Sequence, residues 1–171
     1  MEMPLTLGAD GFSLRQLTLE DWPIEAELSR HADVVRWTYY PADLDEGQAR
    51  RRIEEYLARA AQGLVRRYVI LDGENRIGIC GVGQLTATAP EVFYALTREG
   101  RGRGAATAAV RALCSWLHQD RPGQVALETV EGNAASEQVA RRSGFVLASS
   151  QPDEHRGEPV VLHRWLWPAT A

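Results

Sequence analysis

The sequence predicts an α/β layer fold, a sheet covered by helices on both faces. Three observations carry that reading. Extended and helical patterns alternate along nearly the whole chain, the signature of layered α/β architecture. The chain has 171 residues, 44% hydrophobic and 25% charged, enough for one domain over residues 1–171 with a substantial core. An extended run, residues 92–96, enters the stretch Arg101-Gly102-Arg103-Gly104-Ala105-Ala106, and a long helical pattern over 105–117 leaves it.

The elements follow in order. Residues 12–17 alternate apolar and polar, as a half-buried strand does. A helix begins at Thr18 or at Glu20-Asp21, with Pro23 in its first turn, where a missing N–H costs little, and ends near His31. Residues 34–41 form an aromatic segment with Trp37, Tyr39 and Tyr40, either packing over the core or lining a site for a small polar ligand. Asp45 caps a helix over 46–61, whose Ile53, Tyr56, Leu57 and Ala60 share one face. Strands over 66–71 and 76–85 flank an Asp-Gly turn, a hairpin signal. Gly78, Gly81 and Gly83 in the second strand point to close approach of a backbone or ligand, or to a bulge. Pro90 precedes a strand over 91–96. Pro122-Gly123 breaks the following helix, and residues 125–130 are a strand. Asn133 caps a further helix that Ser143-Gly144 ends. A strand over 145–148, a polar loop over 149–157 and a closing strand over 160–167 complete the chain.

Composition restricts function. A net charge of −4 argues against a general nucleic-acid binder. No apolar run approaches transmembrane length and the acidic N-terminus is unlike a signal peptide, so a cytoplasmic protein without membrane contact is expected. Cys80 and Cys114 lie inside expected elements, as buried thiols of a reducing compartment do. His31, His118, His155 and His163 have no metal-ligand spacing, and no metal is expected. The glycine turn can present main-chain N–H groups at the positive end of a helix dipole, a phosphate-binding arrangement, with Arg98, Arg101 and Arg103 adding mobile charge. A plain strand-to-helix turn with solvated arginines is the alternative.

Two motifs make the reading specific: Arg101-x-x-Gly104-x-Ala106, then Asn133-x-x-Ser136-x-x-Val139-Ala140-x-x-x-Gly144-Phe145. The first resembles the acyl-CoA pyrophosphate loop of the GNAT superfamily of N-acyltransferases. The second resembles that superfamily's Asn-x-x-Ser helix with its Gly-Phe turn. Ile77-Gly78 with Gly81 is similar to the strand that precedes the cofactor strand. The segment from Trp37 to Pro41, before an amphipathic helix, resembles the Rim-type subgroup, which includes the ribosomal-protein N-terminal acetyltransferases. The likeness covers residues 12–167.

The resemblance implies a mixed sheet of about seven strands, splayed between the strands at 91–96 and 125–130, with acetyl-CoA as co-substrate in the gap. It implies cofactor contacts from Tyr94, Leu96, Arg98, Arg101, Gly102, Arg103, Gly104, Ala105, Ala106, Thr107 and Asn133. Main-chain groups of residues 94–96 would pair with the amide-rich pantetheine arm as an added strand would. An N–H there would steady a developing oxyanion, worth about 3 kcal/mol. Acceptor contacts fall on Trp37, Tyr39 and Tyr40. The tyrosine that many members place near the cofactor sulfur is replaced by Ala140. The Rim-type pattern assigns Ser136 to the departing thiolate and Glu154, or Asp153, to the amine proton, with Glu91 as the other candidate base. The implied activity is transfer of an acetyl group to a primary amine, on a protein N-terminus or a small molecule, by direct attack in a ternary complex. A non-catalytic acyl-CoA-binding module on the same fold is the alternative. Either a monomer or a homodimer is compatible.

Overall fold

The structure, a computed structural model, describes residues 4–167. Its strands are β1 (Thr6–Ala9), β2 (Phe12–Gln16), β3 (Arg66–Asp72), β4 (Asn75–Gly83), β5 (Glu91–Leu96), β6 (Val125–Val130), β7 (Val146–His155) and β8 (Glu158–Trp167). Its helices are α1 (Trp22–Leu28), α2 (Ala32–Trp37), α3 (Glu46–Ala61), α4 (Ala105–Asp120) and α5 (Ala134–Arg142). The eight strands form one open sheet in the order β1-β2-β3-β4-β5-β6-β8-β7. Every neighbouring pair is antiparallel except β5 and β6, which run parallel and meet only at Glu91 and Ala126. The Ala126 N–H donates to the Pro90 carbonyl at 2.8 Å, and beyond that contact the strands diverge.

Strand periodicity sorts the core into two layers. Tyr68, Ile70, Cys80, Val82 and Val92 pack with Ala109, Leu113 and Cys114 of α4 on one face. Val69 on the opposite face joins Ile53 and Tyr56 of α3, and Ile79 and Ala95 join Ile24 and Leu28 of α1. Each fully buried Leu or Ile in these layers contributes about 1.5–3 kcal/mol of hydrophobic stabilisation. Phe93 reaches across Gly81, where an added Cβ would lie 2.2 Å from the Arg66 carbonyl and 2.6 Å from Phe93 Cζ. The backbone-approach reading of the β4 glycines therefore holds at this position.

Local chemistry fixes the ends of elements. Asp45 accepts from the Gln48 N–H at 2.7 Å and Gln48 Oε1 from the Asp45 N–H at 2.9 Å, a reciprocal cap on α3. Fully buried Asp21 ends a short 3-10 turn, Leu19–Asp21, that leads into α1. It accepts from Arg15 at 2.7 Å, the Thr18 N–H at 2.8 Å and Arg76 at 2.9 Å, tying β2 and β4 to that turn. Burial alone would raise its pKa; these donors hold it below the ordinary carboxylate value.

The mixed sheet of about seven strands has eight, the short β1 adding itself by pairing with β2. Two expectations are corrected. The aromatic segment at 34–41 begins inside a helix, α2. The polar stretch expected as a loop over 149–157 is mostly β7, paired with β8 from Val146–Leu166 to His155–Glu158. Both faces of this edge strand are exposed down to Glu154, so it shows no apolar alternation. The Asp-Gly hairpin closes with a two-residue turn, Gly73-Glu74, between β3 and β4. Cys80 and Cys114 are buried free thiols, and burial pushes Cys114 up to about 12.

Candidate active site

The gap between β5 and β6 opens beside the arginine-glycine loop. Thr97 anchors that loop, its N–H and hydroxyl both donating to the Ile77 carbonyl at 3.0 and 3.2 Å. Gly104 caps α4 at φ +83°, a conformation side chains resist, and a Cβ there would meet no atom within 4 Å. The first helical hydrogen bond runs from the Ala108 N–H to the Gly104 carbonyl at 2.9 Å. The N–H groups of Ala105, Ala106 and Thr107 therefore have no partner within the helix. This is the cradle a diphosphate requires, at the positive end of a 16-residue helix. Glycines 102 and 104 and Arg98 are exposed around it.

Arg101 and Arg103 are not the mobile charges expected from sequence. Arg101 pairs with Asp33 of α2 at 2.5 Å and donates to the Leu96 carbonyl at 3.1 Å. Arg103 pairs with Asp72 of β3 at 2.6 Å and donates to the Glu99 carbonyl at 3.1 Å. Both are partly exposed, so each pair is weak and exchangeable against a stronger anion.

On the far side of the gap, the Asn133 side chain accepts from the Ser136 N–H at 3.2 Å and starts α5. Ser136 is half-buried, and its hydroxyl accepts from the Tyr94 hydroxyl at 3.0 Å. Ala140 is fully buried, yet a phenol still reaches Ser136, from β5 instead of α5. Burial pushes Tyr94 up to about 12, against the pull of its bond to Ser136. Alternation could have placed this ring: Tyr94 shares a face with Val92 and Leu96, both of which pack with the α4 layer.

Glu91 stands where β5 and β6 part, on the opposite face from Tyr94. Its Oε2 accepts from Gln84 Nε2 at 3.1 Å. Burial and nearby Glu128 raise its pKa to about 7, with Arg164 opposing. Glu128 itself pairs with Arg164 at 2.7 Å. Glu154 lies exposed near the end of β7, opposite Pro159, with its N–H bonded to Asp153 Oδ1 at 2.8 Å. Period-2 alternation puts Asp153 and His155 on one face of β7 and Glu154 on the other.

The aromatic segment divides. Tyr40 is 4% exposed and belongs to the α1 core layer with Leu44 and Ala49, so it packs rather than lines an open surface. Tyr39 is exposed and meets the His155 ring edge-on at 4.7 Å. Trp37 is half-buried under Arg36, whose guanidinium carbon lies 4.5 Å from the ring centroid. Sequence reasoning missed the clasp that closes this side. His155 Nε2 lies 2.9 Å from the Arg36 carbonyl, and Arg156 donates to the Thr38 carbonyl at 3.0 Å and to that of Tyr40. The tip of the β7–β8 hairpin thus grips the end of α2 and the segment after it. Among the described residues no cluster of ligands could hold a metal ion, and no helix is long and apolar enough to cross a membrane.

Comparison with known proteins agrees with this geometry. The family model described as an acetyltransferase (GNAT) domain matches residues 12–146. The chain belongs to the GNAT acetyltransferases, enzymes that transfer the acetyl group of acetyl-CoA to an amine. A search of curated proteins finds no significant match. Among solved structures, RimL, a ribosomal L7/L12 α-N-protein acetyltransferase in complex with coenzyme A, superposes with a TM-score of 0.83 at 18% identity, over 95% of each chain. The microcin C7 self-immunity acetyltransferase MccE, in complex with acetyl-CoA and AMP, superposes with a TM-score of 0.84 at 16% identity, over 92% of each chain. An acetyltransferase of Salmonella typhimurium that modifies the N-terminal serine of L7/L12 gives 0.82 at 16% identity, over 94% of this chain and 97% of that one.

Proposed function

We propose that this protein is an acetyl-CoA-dependent N-acetyltransferase that acetylates a primary amine, on a protein N-terminus or a small molecule, by direct attack. The observation that carries this reading is the convergence at one gap of an unpartnered helix terminus, the Tyr94–Ser136 pair and Glu91. Acetyl-CoA supplies an activated acyl thioester. The N–H groups of Ala105, Ala106 and Thr107 would hold its diphosphate, and Arg98, Arg101 and Arg103 would add charge once Asp33 and Asp72 are displaced. Main-chain groups of residues 94–96 that face the gap are free of β6 and suited to an amide-bearing chain.

Glu91 acts as the base. A carboxyl with a pKa of about 7 takes a proton from an ammonium group near neutral pH more effectively than an ordinary glutamate, and burial is what raises it. Ser136, oriented by the Asn133 cap and by Tyr94, offers a hydroxyl proton to the departing sulfur. Glu154 faces away from Glu91 by alternation and is the weaker choice. Binding of both substrates in one site contributes the positioning on which direct transfer depends. Thiol release from acetyl-CoA, measured with a panel of peptide and small-molecule amines, tests the proposal. Amine-dependent release is the expected result; acetyl-CoA binding with no release for any amine would overturn it.

A further inference from the structure

The face of the sheet that carries Glu91 also carries a guanidinium that forms no ion pair among the described residues. Arg67 of β3 stands opposite Gly81 of β4, which stands opposite Phe93 of β5. Because Gly81 has no side chain, Phe93 leans across it and the Arg67 guanidinium carbon sits 4.6 Å from the Phe93 ring centroid. On the other side it sits 3.3 Å from the centroid of Tyr56. The two rings hold the guanidinium plane, but a quadrupole is no substitute for a full negative charge.

The surroundings contain one anion too few. Glu25 is fully buried, and its Oε2 accepts from Arg52 Nε at 3.0 Å. Arg52 lies over the Tyr40 and Tyr56 rings at 4.5 and 4.9 Å. One carboxylate thus faces two guanidinium groups, and none of the ion pairs among the described residues includes Arg67. Arg67 Nε is buried without a hydrogen-bond partner, whereas Glu25 and the Tyr40 hydroxyl lie close enough to interact, Glu25 adding to the burial that raises the Tyr40 pKa. Arg67 as a whole keeps part of its surface in solvent. Burial lowers its pKa against the pull of Tyr56, Glu25 and Tyr40, which marks a cation short of partners. The nearby carboxylates at the gap are occupied: Glu128 by Arg164, and Glu91 by Gln84.

Sheet spacing sets the reach. Phe93, against which Arg67 rests, is two residues from Glu91 on the same face, about 7 Å along the strand. Resting on the transferase reading above, we propose that Arg67 is an anion-binding residue of the acceptor cleft, and that the acceptor is an amine that also carries a carboxylate or similar anionic group. The amine end lies toward Glu91 and the anionic end toward Arg67. This selects a subset of primary amines and disfavours polyamines.

The test measures calorimetric binding of two matched pairs to the full chain saturated with CoA. One pair is the dipeptide amides Ala-Glu and Ala-Gln; the other is 4-aminobutyrate and 4-aminobutanamide. In at least one pair the acidic member should bind tenfold or more tightly than its neutral partner, and which pair does so separates a peptide from a small-molecule acceptor. Arg67→Met should erase that difference, and Arg67→Lys should keep part of it, with acetyl-CoA affinity unchanged in both. Equal binding within both pairs in the unaltered protein overturns the proposal without any variant, and so does a preference that survives Arg67→Met. Acetyl transfer to neutral amines is followed separately: transfer without an acidic preference removes only the role of Arg67, whereas no transfer to any amine removes the transferase reading.

Discussion

Glu91 occupies the one point where β5 and β6 still touch, and its chemistry follows from that position. Partial burial beside Glu128 raises its pKa from an ordinary 4.5 to about 7. The rate should therefore fall on the acid side with a midpoint near pH 7, and Glu91→Gln should lower turnover and abolish that limb. Stability carries the same signature. A raised folded-state pKa confers stability that is fully present below pH 4.5 and lost as pH rises through 7. Glu91→Gln should remove that slope, leaving the variant more stable than the parent at pH 8 by up to about 3 kcal/mol in denaturant titrations. At Ser136, substitution by Ala should reduce turnover ten- to a hundredfold, about 1.4–2.8 kcal/mol, with little change in acetyl-CoA affinity. Tyr94→Phe should reduce it less, since the phenol acts through Ser136. Stopped-time thiol release with both variants checks the ranking, and equal affinity losses would show a binding role instead. The start of α5 was legible because Asn133, with Ser136 three residues on, marks a helix cap in sequence, while the role of Ser136 came from the family resemblance alone. The Tyr94 phenol bond to Ser136 was not legible, because it joins residues 42 apart and leaves no local pattern. Arg67 left no mark, since Arg66-Arg67 reads as an ordinary polar strand start until Gly81 and Phe93 are seen beside it.

At the scale of elements, the strand-turn-helix unit from β5 to α4 was readable because glycine and alanine mark where a backbone must turn and side chains must stay out. Gly104 keeps φ +83° at the helix cap, so a side chain there is strained even with open space around it. Gly104→Glu should abolish acetyl-CoA binding by placing a carboxylate at the N–H groups of Ala105 to Thr107. Calorimetry with a circular dichroism control decides it: undiminished affinity in a folded variant would remove the loop from the site. Elements without periodic marks were lost. The edge strand β7 is exposed along both faces, Pro152 included, and so reads as a loop; its pairing is decided by β8, not by its own pattern. Helix α2 has six residues and a single buried one, Val34, too little for helical spacing to register.

The whole molecule brings distant segments together. The β7–β8 hairpin reaches the end of α2 through His155 and the segment after it through Arg156. Neither long-range contact has a local signature, which is why the sequence shows the aromatic segment but not the hairpin that closes on it. Arg156→Ala should raise the acceptor Michaelis constant several-fold while leaving that for acetyl-CoA unchanged, and Trp37→Ala should act in the same direction. Equal effects on both constants would show that these residues only support the fold.

The single contact between β5 and β6 also has a consequence for the protein's opening motions. Amide protons of β5 that face β6 beyond Glu91 have no ladder partner there, whereas those facing β4 are paired along the whole strand. Hydrogen–deuterium exchange should therefore split β5 residue by residue, with alternate amides fast and slow. Acetyl-CoA should slow the fast set selectively, and uniform protection across β5 would show that the seam is closed in solution. The co-substrate would then act as a splint between two half-sheets, making the protein harder to unfold at the same place where it reacts.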